Sequence, residues 1–280
     1  MSKFFADDAK LYAEISSNHD IHKLHCSMIE WAKVWQLSIS VPKCSAIDFS
    51  TGNKCSIFGT NLIDGNELML LNESKDLGVI FDNKLQFSPH ISQLVARAKQ
   101  RLFLLLRSFR TRQQGPLLLG YKSYILPLIN YCSPVWSPYL IGDIEAIESV
   151  QQLFTKKIIG FENLPYCQRL KRVDLPSLKL RRLRSDLILC FKIVHGLIAG
   201  ELLNYGLKLA LNPRRGHSKK LYVDYSRVEA RRNFFGNRVV GPWNSLTETA
   251  VNTHSITSFK RILPKVSFTK YLKLNYDNFE

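Results

Sequence analysis

Two acidic side chains stand together near the start of the sequence, in Phe5-Ala6-Asp7-Asp8, with apolar Phe4 and Phe5 before them and Leu11 and Tyr12 after. The pattern suits two short strands joined by an acidic turn. Adjacent carboxylates at such a turn can bind divalent cations, though acids there are far more often solvated turn residues. A second group is basic. Arg169, Lys171, Arg172, Lys179, Arg181, Arg182 and Arg184 fall within sixteen residues whose single acid is Asp174. Such a run can contact phosphates along a nucleic acid without reading its sequence, or it can be a solvated helix face. A third group, His19, His22, His25 and Cys26, has helical spacing but no second ligand pair at a usual distance, so zinc is not expected.

The elements that must carry these residues change along the chain. From Asp20, a candidate N-cap, Ile21, Leu24, Met28, Trp31, Ala32 and Trp35 recur at three and four residue steps, which predicts an amphipathic helix to about Gln36. Short strands are expected at 37–41, 45–49, 55–58 and 77–81, separated by Gly, Asn and Asp. After Phe87 the period becomes helical, with Ile91, Leu94, Val95, Ala98, Leu102, Leu105 and Leu106 on one stripe and Arg97, Lys99, Arg101 and Arg107 between them. Further helices are expected from Pro116 to about Ile129, from Asp143 to near Gly160, and from Ser177 to about Gly196. The polar segment Asn212-Pro213-Arg214-Arg215-Gly216-His217-Ser218 reads as a loop or linker.

The 280 residues, 45% of them hydrophobic, can bury a core of their own. With 39 Lys and Arg against 23 Asp and Glu, the net charge of +16 favours a polyanionic partner, nucleic acid first and a membrane surface second. No signal-like or membrane-spanning apolar run is seen. The six cysteines lack C-x-x-C pairing, so reduced thiols in the cytoplasm or nucleus are the expectation.

Taken in order, further motifs join the acidic pair. These are Trp31-x3-Trp35-x-Leu37, Pro42-Lys43-Cys44, Lys75-Asp76-Leu77-Gly78-Val79-Ile80-Phe81-Asp82, Tyr131-Cys132-Ser133-Pro134-Val135-Trp136, Ile147-Glu148-x-Val150-Gln151, and Arg231-x-Asn233-Phe234-Phe235 through Trp243-Asn244. Over nearly the whole chain they resemble the C-terminal part of non-LTR retrotransposon reverse transcriptases of the jockey-like kind. The resemblance implies that Asp7, with Asp8 as the weaker candidate, binds magnesium for two-metal phosphoryl transfer. It implies that Lys43 is a general acid toward pyrophosphate, and that Leu77, Gly78 and Val79 grip a primer. It also requires an upstream Asp, and only six residues precede Asp7. The tail motifs suggest no chemistry.

The expected architecture is α+β: a palm remnant over residues 1–87, a helical thumb-like region over 88–211, and a small C-terminal region over 212–280. The expected function is that of a reverse-transcriptase fragment, inactive alone, with magnesium as its cofactor and RNA, DNA or their hybrid as partner. A non-catalytic basic nucleic-acid-binding protein is the alternative, and a membrane-surface protein a third. Oligomeric state is left open.

Overall fold

The computed structural model describes residues 2–5, 8–49, 62–63, 66–211, 216–274 and 276, in a mixture of helices and short strands. The chain divides into two compact units, Met1–Leu85 and Gln86–Glu280. The strands lie in the first and nearly all the helices in the second.

The first unit begins with β1 (Ser2–Phe5) and β2 (Asp8–Leu11), an antiparallel hairpin. Then comes α1 (Asn18–Val34), whose N-cap is Ser17 rather than Asp20. Asp20 sits at the third helical position, where its carboxylate accepts the Ser17 and Ser16 backbone N–H groups at 2.8 and 3.0 Å. These bonds hold its carboxyl below the usual range. The remaining strands pair two by two. β3 (Ser45–Ile47) runs parallel to β6 (Met69–Leu71), while β4 (Leu62–Ile63) pairs with β5 (Asn66–Glu67) and β7 (Glu73–Asp76) with β8 (Val79–Asp82), both antiparallel. No strand forms at 37–41, where the chain leaves α1 through Gln36 at φ +53 and enters a 3₁₀ turn over Val41–Lys43 led by Pro42. The strand expected at 55–58 lies outside the described residues. Among the described side chains of this unit, the buried apolar ones are Ala32, Ile63, Leu68, Val79 and Ile80, a thin core for paired ribbons.

Among the described residues of the second unit, the regular elements are helical apart from one small ribbon. Its elements are α2 (Ser88–Ser108), α3 (Gln114–Gly120), α4 (Leu126–Asn130), α5 (Ser133–Trp136), α6 (Ile141–Lys156), α7 (Tyr166–Val173) and α8 (Leu178–Val194). Five shorter helices follow: α9 (Glu229–Arg232), α10 (Phe235–Arg238), α11 (Val240–Asn244), α12 (Glu248–Val251) and α13 (Ile256–Ile262). The apolar stripe expected on α2 is the buried one, with Ile91, Leu94, Ala98, Leu102, Leu105 and Leu106 against its neighbours. Between α3 and α4 the helix widens into a π turn at Tyr121–Ile125. Pro127 just beyond has no N–H to return to the preceding turn, which loosens the ladder there.

α6 starts two residues before Asp143, whose carboxylate accepts the Ser88 hydroxyl at 2.7 Å instead of capping the helix. α8 has the ends that its sequence announces. Ser177 accepts the Leu180 N–H at 3.1 Å, and past the other end Gly196, at φ +65, lets the Leu197 N–H return to the Lys192 carbonyl at 2.8 Å.

One side of α8 faces α5 and α6, and the other joins the C-terminal helices in a common core. Phe191 stacks on Phe259 at 4.4 Å, and Trp243, Val239 and Val251 close around them. α10 reaches this core only because residue 236 is glycine: a Cβ there would lie 2.6 Å from the Gly206 carbonyl oxygen and 2.7 Å from that of Tyr205. Backbone cannot move aside as a side chain can. Gly236→Ala is therefore expected to cost about 2 kcal/mol or more, read as a lower urea midpoint and as faster proteolysis within the C-terminal helices.

Candidate nucleic-acid interface

In the first unit the β1–β2 register closes at Phe5 opposite Asp8, so Asp8 is the first residue of β2. It is exposed. Asp7 lies outside the described residues. Two residues beyond Asp8, on the same face of β2, Lys10 makes an ion pair with Asp76 at the end of β7. Asp76 is the largest cause of a raised Lys10 pKa, and Asp8 adds to it. This pair fastens the acidic hairpin to the tip of the β7–β8 hairpin, across 66 positions of sequence. Lys10 had no motif to mark it; only its alternation with Asp8 along β2 pointed to a shared face.

The tip itself is Leu77-Gly78, with Asp76 opposite Val79, so the strand expected at 77–81 begins only at Val79, after a two-residue turn. Both residues have positive φ, +43 and +85, as a type I′ turn requires. Glycine adopts this freely. Leucine does so at a cost on the order of 1 kcal/mol, at an exposed loop tip where loss of turn strain would favour Asn or Gly. Lys43 is exposed at the end of its 3₁₀ turn and is not on a strand, because Pro42 holds the preceding backbone in that turn.

The basic run at 169–184 is mostly not a surface. Only Lys171 and Arg172 are exposed; Lys179, Arg181 and Arg184 are half-buried, and Arg169 and Arg182 are buried. Arg169 donates to the Gln152 carbonyl at 2.7 Å and the Thr155 hydroxyl at 3.0 Å. Arg182, only 3% exposed, lies in the field of Glu148 and Asp186, and burial pushes its pKa down to about 10 despite both acids. Burial likewise pushes the Lys179 amine to about 8, with the Lys273 and Arg182 charges adding to the effect. A run of charge in sequence does not say which helix face it occupies, and α8 is covered on both sides.

Those inner charges belong to a network built from the motifs that suggested no chemistry. Glu148, fully buried on α6, accepts the Leu178 N–H at 3.0 and 3.1 Å, so a carboxylate occupies the N-terminus of α8. It also accepts the Tyr166 hydroxyl. Gln151, one turn along, accepts the Tyr121 hydroxyl at 3.1 Å and donates to the Pro176 carbonyl at 2.9 Å. Asp186 takes Arg238 in a two-pronged pair at 2.9 and 3.0 Å. The same guanidinium donates to the Pro134 carbonyl at 2.6 Å and the Asn233 carbonyl at 2.9 Å. Trp136 and Trp243 donate their ring N–H groups to the Tyr131 and Lys219 carbonyls. The motifs around 131–136, 147–151 and 231–244 thus serve packing.

The outward positive charge has a clear location. Residues 1–85 hold 8 Lys and Arg against 11 Asp and Glu, a net −3, whereas residues 86–280 hold 31 against 12, a net +19, including all 17 arginines. On α2, Arg97 and Arg107 are exposed, and Arg101 donates to the Tyr124 carbonyl at 3.2 Å with its guanidinium 5.0 Å from the Tyr124 ring. Phe103, Leu104, Leu119 and Tyr124 are exposed apolar side chains of this region. Phe103 and Leu104 stand off the buried stripe of α2.

Comparison with known proteins places about half of the chain. It is 25% identical over 165 residues to a probable RNA-directed DNA polymerase from transposon X-element of Drosophila melanogaster, covering 56% of this chain and 18% of that protein. It is 27% identical over 148 residues to the RNA-directed DNA polymerase from mobile element jockey of Drosophila funebris, covering 52% and 16%. An uncharacterized protein of Caenorhabditis elegans is 25% identical over 138 residues, covering 48% of this chain and 68% of that protein. The chain thus matches less than a fifth of the two polymerases. No family model and no solved structure matches. The similarity marks a reverse-transcriptase-like region.

Two outcomes separate the inner charges from the outer. Arg182→Glu puts a third acid beside Glu148 and Asp186 and is expected to cost about 3–5 kcal/mol, whereas Arg97→Glu with Arg107→Glu should leave thermal melting by circular dichroism near that of the parent. Lys179 is the pH probe. Its amine has a folded pKa below the unfolded one, so the burial penalty is fully present below about pH 8 and is relieved as pH rises from there toward 10.5. Lys179→Met should therefore stabilise the chain at neutral pH, with a gain that shrinks as denaturation is repeated through that window.

Proposed function

We propose that the chain is a nucleic-acid-binding part of a jockey-like non-LTR reverse transcriptase, in which the helical unit holds RNA, DNA or their hybrid and the first unit carries the acidic hairpin. The observation that carries this reading is the segregation of charge, +19 on the helical unit against −3 on the unit with the acidic pair. The similarity to the two Drosophila polymerases supports it. Exposed Arg97 and Arg107 on α2, and exposed Lys122, offer cations to a phosphate backbone and release counterions when bound.

We further propose that these 280 residues do not copy a template by themselves. In this reading magnesium would be held by Asp7 and Asp8 with a carboxylate from a strand outside them, and it would activate the primer hydroxyl and steady pyrophosphate. Asp8 alone does not fit a pair of ions, since the Lys10 ammonium lies in its field and is held there by Asp76. Lys43, as general acid, and Leu77-Gly78-Val79, as primer grip, are part of the same proposal. The second reading is a binding protein without catalysis. It draws on the same charge segregation, because the basic unit needs nothing from the acidic hairpin to attract a polyanion. Among the described residues no helix is long and apolar enough to cross a membrane.

An RNA–DNA hybrid in fluorescence anisotropy tests the binding, and magnesium-dependent primer extension tests the chemistry. Affinity should fall steeply with salt, and Arg97→Glu with Arg107→Glu should weaken it about tenfold or more while lowering the salt slope by roughly one per lost phosphate contact. Extension should stay at background. Salt-insensitive binding would remove the reading, and extension abolished by Asp7→Asn would overturn the claim of inactivity.

A further inference from the structure

The C-terminal region holds a small antiparallel ribbon that the packing motifs position but do not use. Leu209 bridges Leu221, the Ala210 N–H donates to the Lys220 carbonyl at 2.8 Å, and the Tyr222 N–H donates to the Lys208 carbonyl at 2.8 Å. Residues directly opposite in an antiparallel pair share a face, and neighbours along a strand alternate. Lys208, Lys220 and Tyr222 therefore belong to one face, and Leu221, buried in the core, to the other. The ribbon is held firmly. The Asn244 side chain accepts the Leu221 N–H at 2.9 Å and donates to the Leu221 carbonyl at 2.8 Å, and Trp243 holds the Lys219 carbonyl. On this support Tyr222 is 55% exposed, and Tyr225, three residues on and beyond the paired segment, is 83% exposed.

The segment that carries these rings is basic. Residues 208–232 hold eight Lys and Arg against Asp224 and Glu229. Arg231 engages Asp224 at 3.4 Å, and Arg232 engages Glu229. Each acid is thus answered within the segment, which leaves the excess positive.

We infer that this ribbon is a platform for single-stranded RNA, on which Tyr222 and Tyr225 stack bases while Lys208, Lys220 and Arg227 meet the phosphates. Exposed tyrosines accept any base face, and flanking cations follow the strand; together they suit a single strand, whose bases are free to stack, better than a duplex. The inference rests on the reading given under Proposed function, and RNA is the occupant because the two Drosophila relatives are RNA-directed polymerases. It adds to that reading a second surface, for the unpaired strand.

The test uses the full chain with a labelled single-stranded RNA of about 10 nucleotides, a DNA of the same sequence, and the RNA–DNA hybrid. Tyr222→Ala and Tyr225→Ala should each lower single-strand affinity about tenfold, and Phe at both positions should restore it, while hybrid binding is unchanged throughout. Alanine variants that bind the single strand as the parent does, or that lose the hybrid equally, overturn the platform. A parent that binds the hybrid but no single strand also overturns it and leaves the earlier reading standing. A parent that binds neither removes both. Tighter binding of the DNA strand overturns RNA as the occupant.

Discussion

A carboxylate taken out of water has to be answered inside the protein, and Glu148 is the acid on which the helical unit turns. Its oxygens accept the first N–H of α8 and the Tyr166 hydroxyl, in a place with no solvent. The helix N-terminus contributes partial positive charge and unsatisfied donors, both of which a buried anion needs. α8 is thereby fixed against α6, and one turn along it Arg182 enters the same field. Farther down, Asp186 repeats the arrangement with Arg238 as its cation. Burial raises the Asp186 pKa and the guanidinium opposes that rise. Removing either partner would leave a charge without an answer, which costs more than the pair contributes.

From this follows the division of the basic residues into two populations. Arg182 and Arg169 are inner residues that spend their donors on carbonyls or their charge on acids, and their burial depends on helices from both ends of the unit closing over α7 and α8. Arg97 and Arg107 on α2, with Lys208 on the ribbon, are outer residues facing water. Only the outer population can exchange counterions for a phosphate backbone. Arg238 illustrates how the two are kept apart: one side chain spans Asp186, Asn233 and Pro134, so the C-terminal helices close α8 off from solvent.

The first unit is held by different means. Its ribbons pair two by two over a thin core, and the β1–β2 and β7–β8 hairpins are joined by the Lys10–Asp76 pair. At the end of that contact sits Leu77 in a left-handed conformation that leucine rarely adopts. Strain of this kind persists where the surroundings dictate the backbone.

Periodicity alone determined the long elements. The apolar stripe of α2 and the Ser and Gly at the ends of α8 are local signals, because helix phase and capping depend on residues within a turn or two. The order of the motifs was likewise legible, and with it the reverse-transcriptase-like region. What α8 touches was not legible. A helix whose every face is covered looks, in sequence, like one with a charged solvent face, because Arg182 and Asp186 find their partners through Glu148 and Arg238, tens of residues away in either direction. The same holds for Lys10 and Asp76, and for Leu77, whose turn conformation follows from the pairing of the strands beside it. Local rules set which residues lie on one face; only tertiary packing decided which of those faces meets water.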